Sequence, residues 1–137
     1  MVDVKLVLGT AEGKTYQKEI KSPEADRLHG KKVGDTVTGE EFGFPGYEFL
    51  ITGGSDKAGF PMRKGIQTPR KVILTAGGVG YSGKDRNKSR QKGIIVSKTV
   101  CGERITSSIH QVNMKVLKAG SQPLGGAVAA ESAKAEQ

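Results

Sequence analysis

The amino-acid sequence predicts a mainly β protein, a small closed or partly closed β-barrel of about six short strands with one short helix. Glycine accounts for 20 of the 137 residues, about twice its average usage, which indicates many turns. Aromatic residues make up only 5% and tryptophan is absent, so the core is expected to be thin and aliphatic. Apolar residues recur at every second position in short runs, the pattern of half-buried strands joined by turns.

The first elements along the chain are two strands and a helix. Residues 2–9 (VDVKLVLG) alternate between apolar and other side chains, and residues 14–20 (KTYQKEI) form a second strand pattern. A short turn separates the two, so we expect a hairpin. Ser22, Pro23 and Gly30 occupy the positions of an N-cap, a first helical residue and a C-terminal stop, which predicts a helix over residues 23–28.

The later strands are expected at residues 35–38, 44–51, 70–75, 93–102 and 110–118, with a weaker one at 104–108. From residue 119 the sequence is rich in alanine, glycine and serine and loses the period of two. Such a segment has too little apolar bulk to form a core. We therefore expect a β-barrel domain over residues 1–118 and a disordered tail over residues 119–137.

Composition excludes several classes of protein. No apolar stretch approaches the ~18 residues of a membrane span, and the N-terminus is too short and too charged for a secretory signal. These features predict a soluble cytoplasmic protein with no membrane partner. Cys101 is the single cysteine, so no internal disulfide can form. It is expected to be a small buried hydrophobe rather than a reactive thiol.

The positive charge is confined to one stretch of the chain. Residues 1–56 contain 7 Lys/Arg and 10 Asp/Glu, and residues 99–137 contain 4 and 3. Residues 57–98 contain 11 Lys/Arg and a single acid, Asp85. This concentration of cations indicates a polyanionic partner, since net charge reports on association and not on fold.

A glycine-rich loop lies at the start of the basic stretch. Residues 51–65 (ITGGSDKAGFPMRKG) follow a predicted strand and contain no apolar run, so we expect a set of defined turns that exposes backbone N–H groups beside cations. Asp56 is expected to cap N–H groups of these turns, or to pair with Lys57 or Arg63. The positions predicted to shape this signature loop are Gly53, Gly54, Asp56, Gly59, Pro61 and Met62.

The loop resembles a known family. The run GGSDKAGFPM at residues 53–62 is similar to the signature of the S-six-e family of archaeal and eukaryotic small-subunit ribosomal proteins. The run GKKVGDTVTGEEFG at residues 30–43 and the basic segment 83–93 also resemble the family, and the similarity covers residues 2–118. The resemblance implies a small β-barrel on the body of the small subunit. Residues 119–137 lack the long basic extension of the eukaryotic members, so the regulatory phosphorylation of that extension does not transfer.

A second basic segment, residues 83–93, carries a cation at every second position. In an extended chain these cations would lie on one side, about 6 to 7 Å apart, close to the spacing of phosphates in a nucleic acid. The alternative is a solvated hairpin tip with no RNA-binding role. Few aromatic residues accompany the cations, which favours recognition of structured RNA by shape and backbone over base stacking; Tyr81 alone could stack on a base or pack. The predicted RNA-binding residues are Lys57, Arg63, Lys64, Arg70, Lys71, Lys84, Arg86, Lys88, Arg90 and Lys92.

Residues 78–84 (GVGYSGK) match two nucleotide-binding templates incompletely. Asp85 stands where a P-loop needs Ser or Thr, and the following residues contain no apolar position that would dock a helix. Two histidines and one cysteine do not supply a four-ligand zinc site. The acidic pair Glu40–Glu41 lies in a polar turn with no apolar pocket, so general acid–base catalysis is not supported. The sequence therefore predicts no enzyme activity, no cofactor and no small-molecule substrate.

These observations predict a structural constituent of the small ribosomal subunit that binds ribosomal RNA through the basic loop and arm. Ribosomal RNA and neighbouring ribosomal proteins are the expected partners; the free protein is expected to be a monomer. The predicted location is the ribosome in the cytoplasm. One alternative is a stand-alone RNA- or DNA-binding barrel, such as a chaperone or packaging protein. A weaker one is a nucleotide-binding enzyme that uses residues 78–84.

Overall fold

The computed structural model describes residues 3–84, 87–90 and 92–124. This part of the chain contains seven β-strands and two short 3-10 helices. The 3-10 helices are Ala25–Leu28 and Gly39–Phe42. The strands are β1 (Val4–Gly9), β2 (Thr15–Ile20), β3 (Thr36–Thr38), β4 (Glu48–Asp56), β5 (Arg70–Thr75), β6 (Val96–Cys101) and β7 (Ile109–Lys118).

Five of the strands form one sheet in the order β2-β1-β7-β4-β3. The first and last strands, β1 and β7, lie side by side in parallel, and the other neighbours are antiparallel. The predicted hairpin of β1 and β2 is confirmed, with Val4 opposite Ile20. Pairing of the chain's first strand with its last fixes both ends of the domain to the centre of the sheet.

The two remaining strands, β5 and β6, pair with each other as an antiparallel ribbon. The mainly β prediction is confirmed. The barrel is not, because the described strands form an open five-stranded sheet and a two-stranded ribbon with no closed ring. The order of strands across a sheet depends on long-range pairing, which period-two patterns in the sequence do not encode.

Alternate residues of the central strands build the core. Val4, Leu6 and Leu8 of β1 are buried, and so are Val112 and Met114 of β7. This is the face that the period of two predicts. The core also takes in an aromatic group in which two ring pairs meet edge-on and one pair stacks with centroids 5.8 Å apart: Phe44, Tyr47 and Phe49.

The predicted helix over residues 23–28 is a 3-10 helix confined to Ala25–Leu28. Only Ala25 and Leu28 are buried in it, and a spacing of three places both on one side of a 3-10 helix. The weak strand expected at 104–108 is also absent; Arg104 makes a single antiparallel bridge to Lys32. Among the described residues no helix has the length and apolar character to cross a membrane.

The packed part of the chain extends past the predicted boundary at residue 118. Leu124 is buried in the core, and the Tyr47 hydroxyl donates a hydrogen bond to the carbonyl of Gln122. Gly120 lies against Pro45 so closely that an added Cβ would be 2.4 Å from that residue's carbonyl oxygen. Residues 119–124 therefore belong to the domain. The rest of the predicted tail, residues 125–137, lies outside the described residues.

Candidate nucleic-acid interface

The glycine pair of the signature loop lies in a strand. β4 continues through Gly53 and Gly54 to Asp56, so the turns expected from residue 51 begin only after Asp56. The strand bends on the way, because its register against β7 shifts between Ile51 and Gly53. An added Cβ at Gly54 would lie 2.3 Å from the carbonyl oxygen of Gln111. Glycine is needed there for close contact between strands rather than for a turn.

The turn itself spans Asp56 to Phe60. The Asp56 amide donates to the Phe60 carbonyl at 3.1 Å, and the Phe60 amide donates to Asp56 Oδ1 at 3.0 Å. Gly59 has φ +87°, a conformation that other residues adopt at a cost. The prediction that Asp56 caps an N–H group of the turn is confirmed.

Asp56 forms its ion pair with Arg70 and not with Lys57 or Arg63, the two predicted partners. Asp56 is only 4% exposed, and its carboxylate accepts a hydrogen bond from the Arg70 guanidinium and one from Cys101 Sγ at 3.2 Å. Arg70 is the first residue of β5 and is opposite Cys101 in β6. The carboxylate therefore joins the end of β4 to the first rung of the ribbon.

The protonation states of this cluster follow from burial and hydrogen bonding. Burial raises the pKa of Asp56, but the hydrogen bonds from Arg70, Cys101 and the Phe60 amide outweigh it and hold the pKa below its ordinary value. Burial, and then the hydrogen bond to Asp56, raise the pKa of Cys101 to about 11. Cys101 is thus a protonated donor, and its predicted burial is confirmed.

The segment Pro61, Met62 and Arg63 lies between the two sheets. The Met62 amide donates to the Gly54 carbonyl at 2.9 Å on the β4 side. On the β6 side the Cys101 amide donates to the Pro61 carbonyl at 2.8 Å, and the Arg63 amide donates to the Cys101 carbonyl at 3.1 Å. The signature loop therefore attaches the ribbon to the core sheet through backbone hydrogen bonds.

The Arg63 side chain organises the loop that follows β5. Its Nη1 donates to Thr75 Oγ1 at 3.3 Å, to the Gly77 carbonyl at 3.4 Å and to the Val79 carbonyl at 3.1 Å. Gly78 lies against the guanidinium, and a Cβ there would approach Nη2 to 3.4 Å. One of the predicted RNA-binding cations is therefore bonded within the protein.

Glu103 holds the other end of the signature segment, a role that the sequence analysis missed. Its carboxylate accepts hydrogen bonds from the Gly65 amide and from Gln67 Nε2, both at 3.0 Å, and lies 3.9 Å from Lys32 Nζ. The Gly65 hydrogen bond, against the opposing effect of burial, lowers its pKa. The sequence feature that could have identified Glu103 is its position, because it is the first acidic residue after the basic stretch.

The basic segment at 83–93 turns back on itself. Lys84 and Arg90 form an antiparallel bridge, Lys88 has φ +60°, and the Tyr81 hydroxyl donates to the Ile94 carbonyl at 2.7 Å. The prediction of a single extended run with all five cations on one side is therefore wrong. Tyr81 closes the base of the hairpin within the protein. Arg86 lies outside the described residues.

The exposed cations cover the ribbon, its tip and the turns at its base. In the described part of the chain none of the seven other predicted cations forms an ion pair: Lys57, Lys64, Lys71, Lys84, Lys88, Arg90 and Lys92. Lys98, absent from the predicted set, is exposed on the ribbon face that carries Lys71. Its neighbours in β6 are apolar or small, so Lys98 belongs to no basic motif in the sequence.

Among the described residues, neither a nucleotide-binding helix nor a metal-binding cluster accompanies these cations. Residues 78–84 form an irregular loop that leads into the hairpin, and within the described residues no helix follows it to bind a phosphate. No group of three or more His, Cys, Asp or Glu side chains in the described ranges could hold a metal ion.

The fold and the charge pattern define a class of protein: a small β domain that presents unpaired cations on a ribbon and hairpin anchored to its core sheet. The model of the ribosomal protein S6e family matches residues 4–129. The chain belongs to this family of structural ribosomal proteins, whose members are not enzymes and are located on the ribosome in the cytoplasm. The resemblance that the signature loop suggested is confirmed.

Archaeal relatives agree with the family assignment. Small ribosomal subunit protein eS6 of Methanococcoides burtonii is 38% identical, over 99% of this chain and 100% of the relative. The protein of the same name from Methanocella arvoryzae is 38% identical over 90% of this chain and 84% of the relative. The one from Thermoplasma acidophilum is 42% identical over 82% of this chain and 86% of the relative.

Proposed function

We propose that this protein is a structural constituent of the small ribosomal subunit that binds ribosomal RNA through its exposed cations. The observation that carries the proposal is the placement of these cations. They lie on the β5–β6 ribbon, on its hairpin tip and on the turns at its base. In the described part of the chain they have no carboxylate partners. A surface of this kind binds phosphates, which give affinity and orientation without reading sequence.

The ribbon is held in one orientation before it meets RNA. Pro61, Met62 and Arg63 hydrogen-bond to both sheets, and Arg70 is paired with the buried Asp56. Cations on a fixed frame lose less conformational entropy on binding than cations on a free chain. Structured RNA, whose phosphates are also fixed in space, suits such a surface.

Eight exposed, unpaired cations set the expected salt dependence: the seven predicted ones within the described residues, and Lys98. If each neutralises one phosphate, the logarithm of the binding constant falls with the logarithm of salt concentration with a slope of roughly −6 to −7. Of the ten predicted cations, Arg63 and Arg70 are left out because they are bonded within the protein, and Arg86 because it lies outside the described residues. Neighbouring ribosomal proteins are the other partners that we propose, with a monomeric state before assembly.

Sedimentation tests the assignment. A cell lysate is separated on sucrose gradients at moderate and at high salt, and the protein is located by immunoblot. Sedimentation with the small subunit at moderate salt, lost only at high salt, supports the proposal. A protein that stays at the top of the gradient at every salt concentration contradicts it, and then favours the stand-alone RNA- or DNA-binding protein.

A further inference from the structure

The contacts of Arg70 set it apart from the exposed lysines. Its guanidinium is held at one edge by the buried carboxylate of Asp56. Its guanidinium carbon lies over the ring of Phe60, 4.9 Å from the ring centroid. Half of the side chain nevertheless remains exposed. The guanidinium is therefore held in place by two groups and is still accessible from solvent.

A shallow groove opens beside this guanidinium. It has a volume of about 430 Å³ and is lined by Phe60, Arg70, Lys71, Val72 and Thr99. Val72 is 60% exposed and is opposite Thr99 in the ribbon. The groove combines the exposed apolar side chain of Val72, the partly buried Thr99 and a guanidinium that lies over an aromatic ring.

Charge argues against a phosphate as the occupant. The positive charge of Arg70 is already compensated by the Asp56 carboxylate in direct contact, so a phosphate gains little from approaching it. The pairing with Asp56 does not weaken the stacking of a base on the Arg70 guanidinium, because such stacking depends on the planar face of the guanidinium and on the exclusion of water. Unpaired nucleobases stack on arginine planes and on aromatic side chains when proteins bind folded RNA.

We propose that this groove binds one unpaired nucleobase of the ribosomal RNA, stacked on the outer face of the Arg70 guanidinium and packed against Val72. This inference rests on the proposed RNA-binding function. It adds a contact to a base, whereas the exposed lysines are proposed to contact only phosphates. Lys71, on the opposite face of the ribbon but at the rim of the groove, is placed to contact the backbone phosphate of the same nucleotide.

The test uses the full-length protein and purified small-subunit ribosomal RNA. Affinity is measured over a range of salt concentrations, and dimethyl sulfate reports which unpaired bases become protected. Arg70→Lys retains the positive charge next to Asp56 and removes the planar guanidinium group. Val72→Ala removes the apolar wall at an exposed position, so the fold is unaffected; thermal melting checks both variants. Lys57→Ala is the control for a pure phosphate contact.

For Arg70→Lys we expect affinity to fall at least about fivefold, the smallest effect of losing one stacked base. Val72→Ala is expected to lower it about threefold, because less apolar surface is buried. Both variants should keep the wild-type salt slope and lose protection of the same base. Lys57→Ala should do the opposite: the slope becomes shallower by about 0.7 to 0.9 and the protection remains.

Three results would overturn the inference. Unchanged affinity and protection in both groove variants would show that no base binds there. A shallower slope for Arg70→Lys would make Arg70 a phosphate contact. Loss of a protein neighbour from assembled subunits, with RNA binding intact, would make the groove a protein-binding surface. In each of these cases, salt-dependent binding of the wild-type protein would still support the proposed RNA-binding function. If the wild-type protein itself showed no salt-dependent binding, the proposed function would be contradicted.

Discussion

Gly54 in β4 and Gln111 in β7 are so close that the carbonyl oxygen of Gln111 lies 2.3 Å from the position of a Cβ on Gly54. Met62 Sδ would be 2.9 Å from the same Cβ. The backbone of one strand and a buried side chain of the signature segment therefore occupy the space that any other residue at this position would need.

Gly54→Ala is expected to destabilise the protein by about 1 to 3 kcal/mol, the usual range for overpacking in a well-packed core. Gly53→Ala is the matched control, because a Cβ there meets nothing within 4 Å. Unfolding in urea measures both. If the two variants lost equal stability, the close contact at Gly54 would not be the cause.

Asp56→Ala is expected to lower stability by about 2 to 3 kcal/mol, since the carboxylate accepts charged and backbone hydrogen bonds from both sides of the signature turn. Affinity for ribosomal RNA should change less, because the exposed lysines remain in place. Thermal melting and filter binding give the two quantities. A variant with an unchanged melting temperature but weaker binding would contradict this role.

Stability is expected to fall in acid. The pKa values of Asp56 and Glu103 are lowered in the folded state from ordinary values of 3.8 and 4.5. Their contribution is therefore complete above these values and is lost as the pH falls through the lower folded-state values. Denaturant unfolding between about pH 6 and pH 2 measures the effect, and Asp56→Asn should flatten the profile. A profile that Asp56→Asn leaves unchanged would mean that this carboxyl does not contribute.

The salt dependence of RNA binding should distinguish the exposed cations of the ribbon and its hairpin from exposed cations elsewhere on the protein. Lys88→Ala at the hairpin tip is expected to make the slope shallower by about 0.7 to 0.9. Lys14→Ala, in the hairpin of β1 and β2 and outside the basic stretch, is the control and should leave the slope as it is. Equal effects at the two sites would indicate that RNA binds by net charge alone.

Leu124→Ala is expected to cost about 2 to 4 kcal/mol of stability, because Leu124 is only 4% exposed and fills space in the core. Leu117→Ala is the comparison at a position that is 52% exposed, and should have little effect. Thermal unfolding tests both. Equal melting temperatures would mean that the chain beyond residue 118 contributes nothing to the fold.

The sequence predicts individual strands better than the contacts between segments that are distant in the chain. The period of two identifies β1 and β7, because alternation reports directly on burial. The boundaries expected for β5 are also those observed. The sequence predicts neither the open sheet nor the partner of Asp56, and it offers the hairpin of the basic segment only as an alternative to an extended arm. Arg70 is separated from Asp56 by a loop, and Tyr81 reaches Ile94 across the hairpin. Such contacts depend on how strands cross in space, and residue spacing does not record this.

For a related reason, the sequence predicts a turn at Gly53 and Gly54. Glycine occurs both in left-handed turns and where strands approach closely, and a single sequence does not separate the two. For Arg63 and Arg70, charge alone predicts a contact with RNA. Their internal hydrogen bonds are visible only once the signature segment is placed between the sheets.

The segment of Pro61, Met62 and Arg63, which hydrogen-bonds to both sheets, also couples unfolding of the ribbon to unfolding of the core sheet. The Cys101 amide donates to the Pro61 carbonyl, and Met62 in turn donates to Gly54 in the core sheet. Opening the base of the ribbon therefore breaks hydrogen bonds to the core sheet, and we expect the two sheets to unfold together as one cooperative unit. We therefore expect the Cys101 amide to exchange with solvent deuterium only on global unfolding.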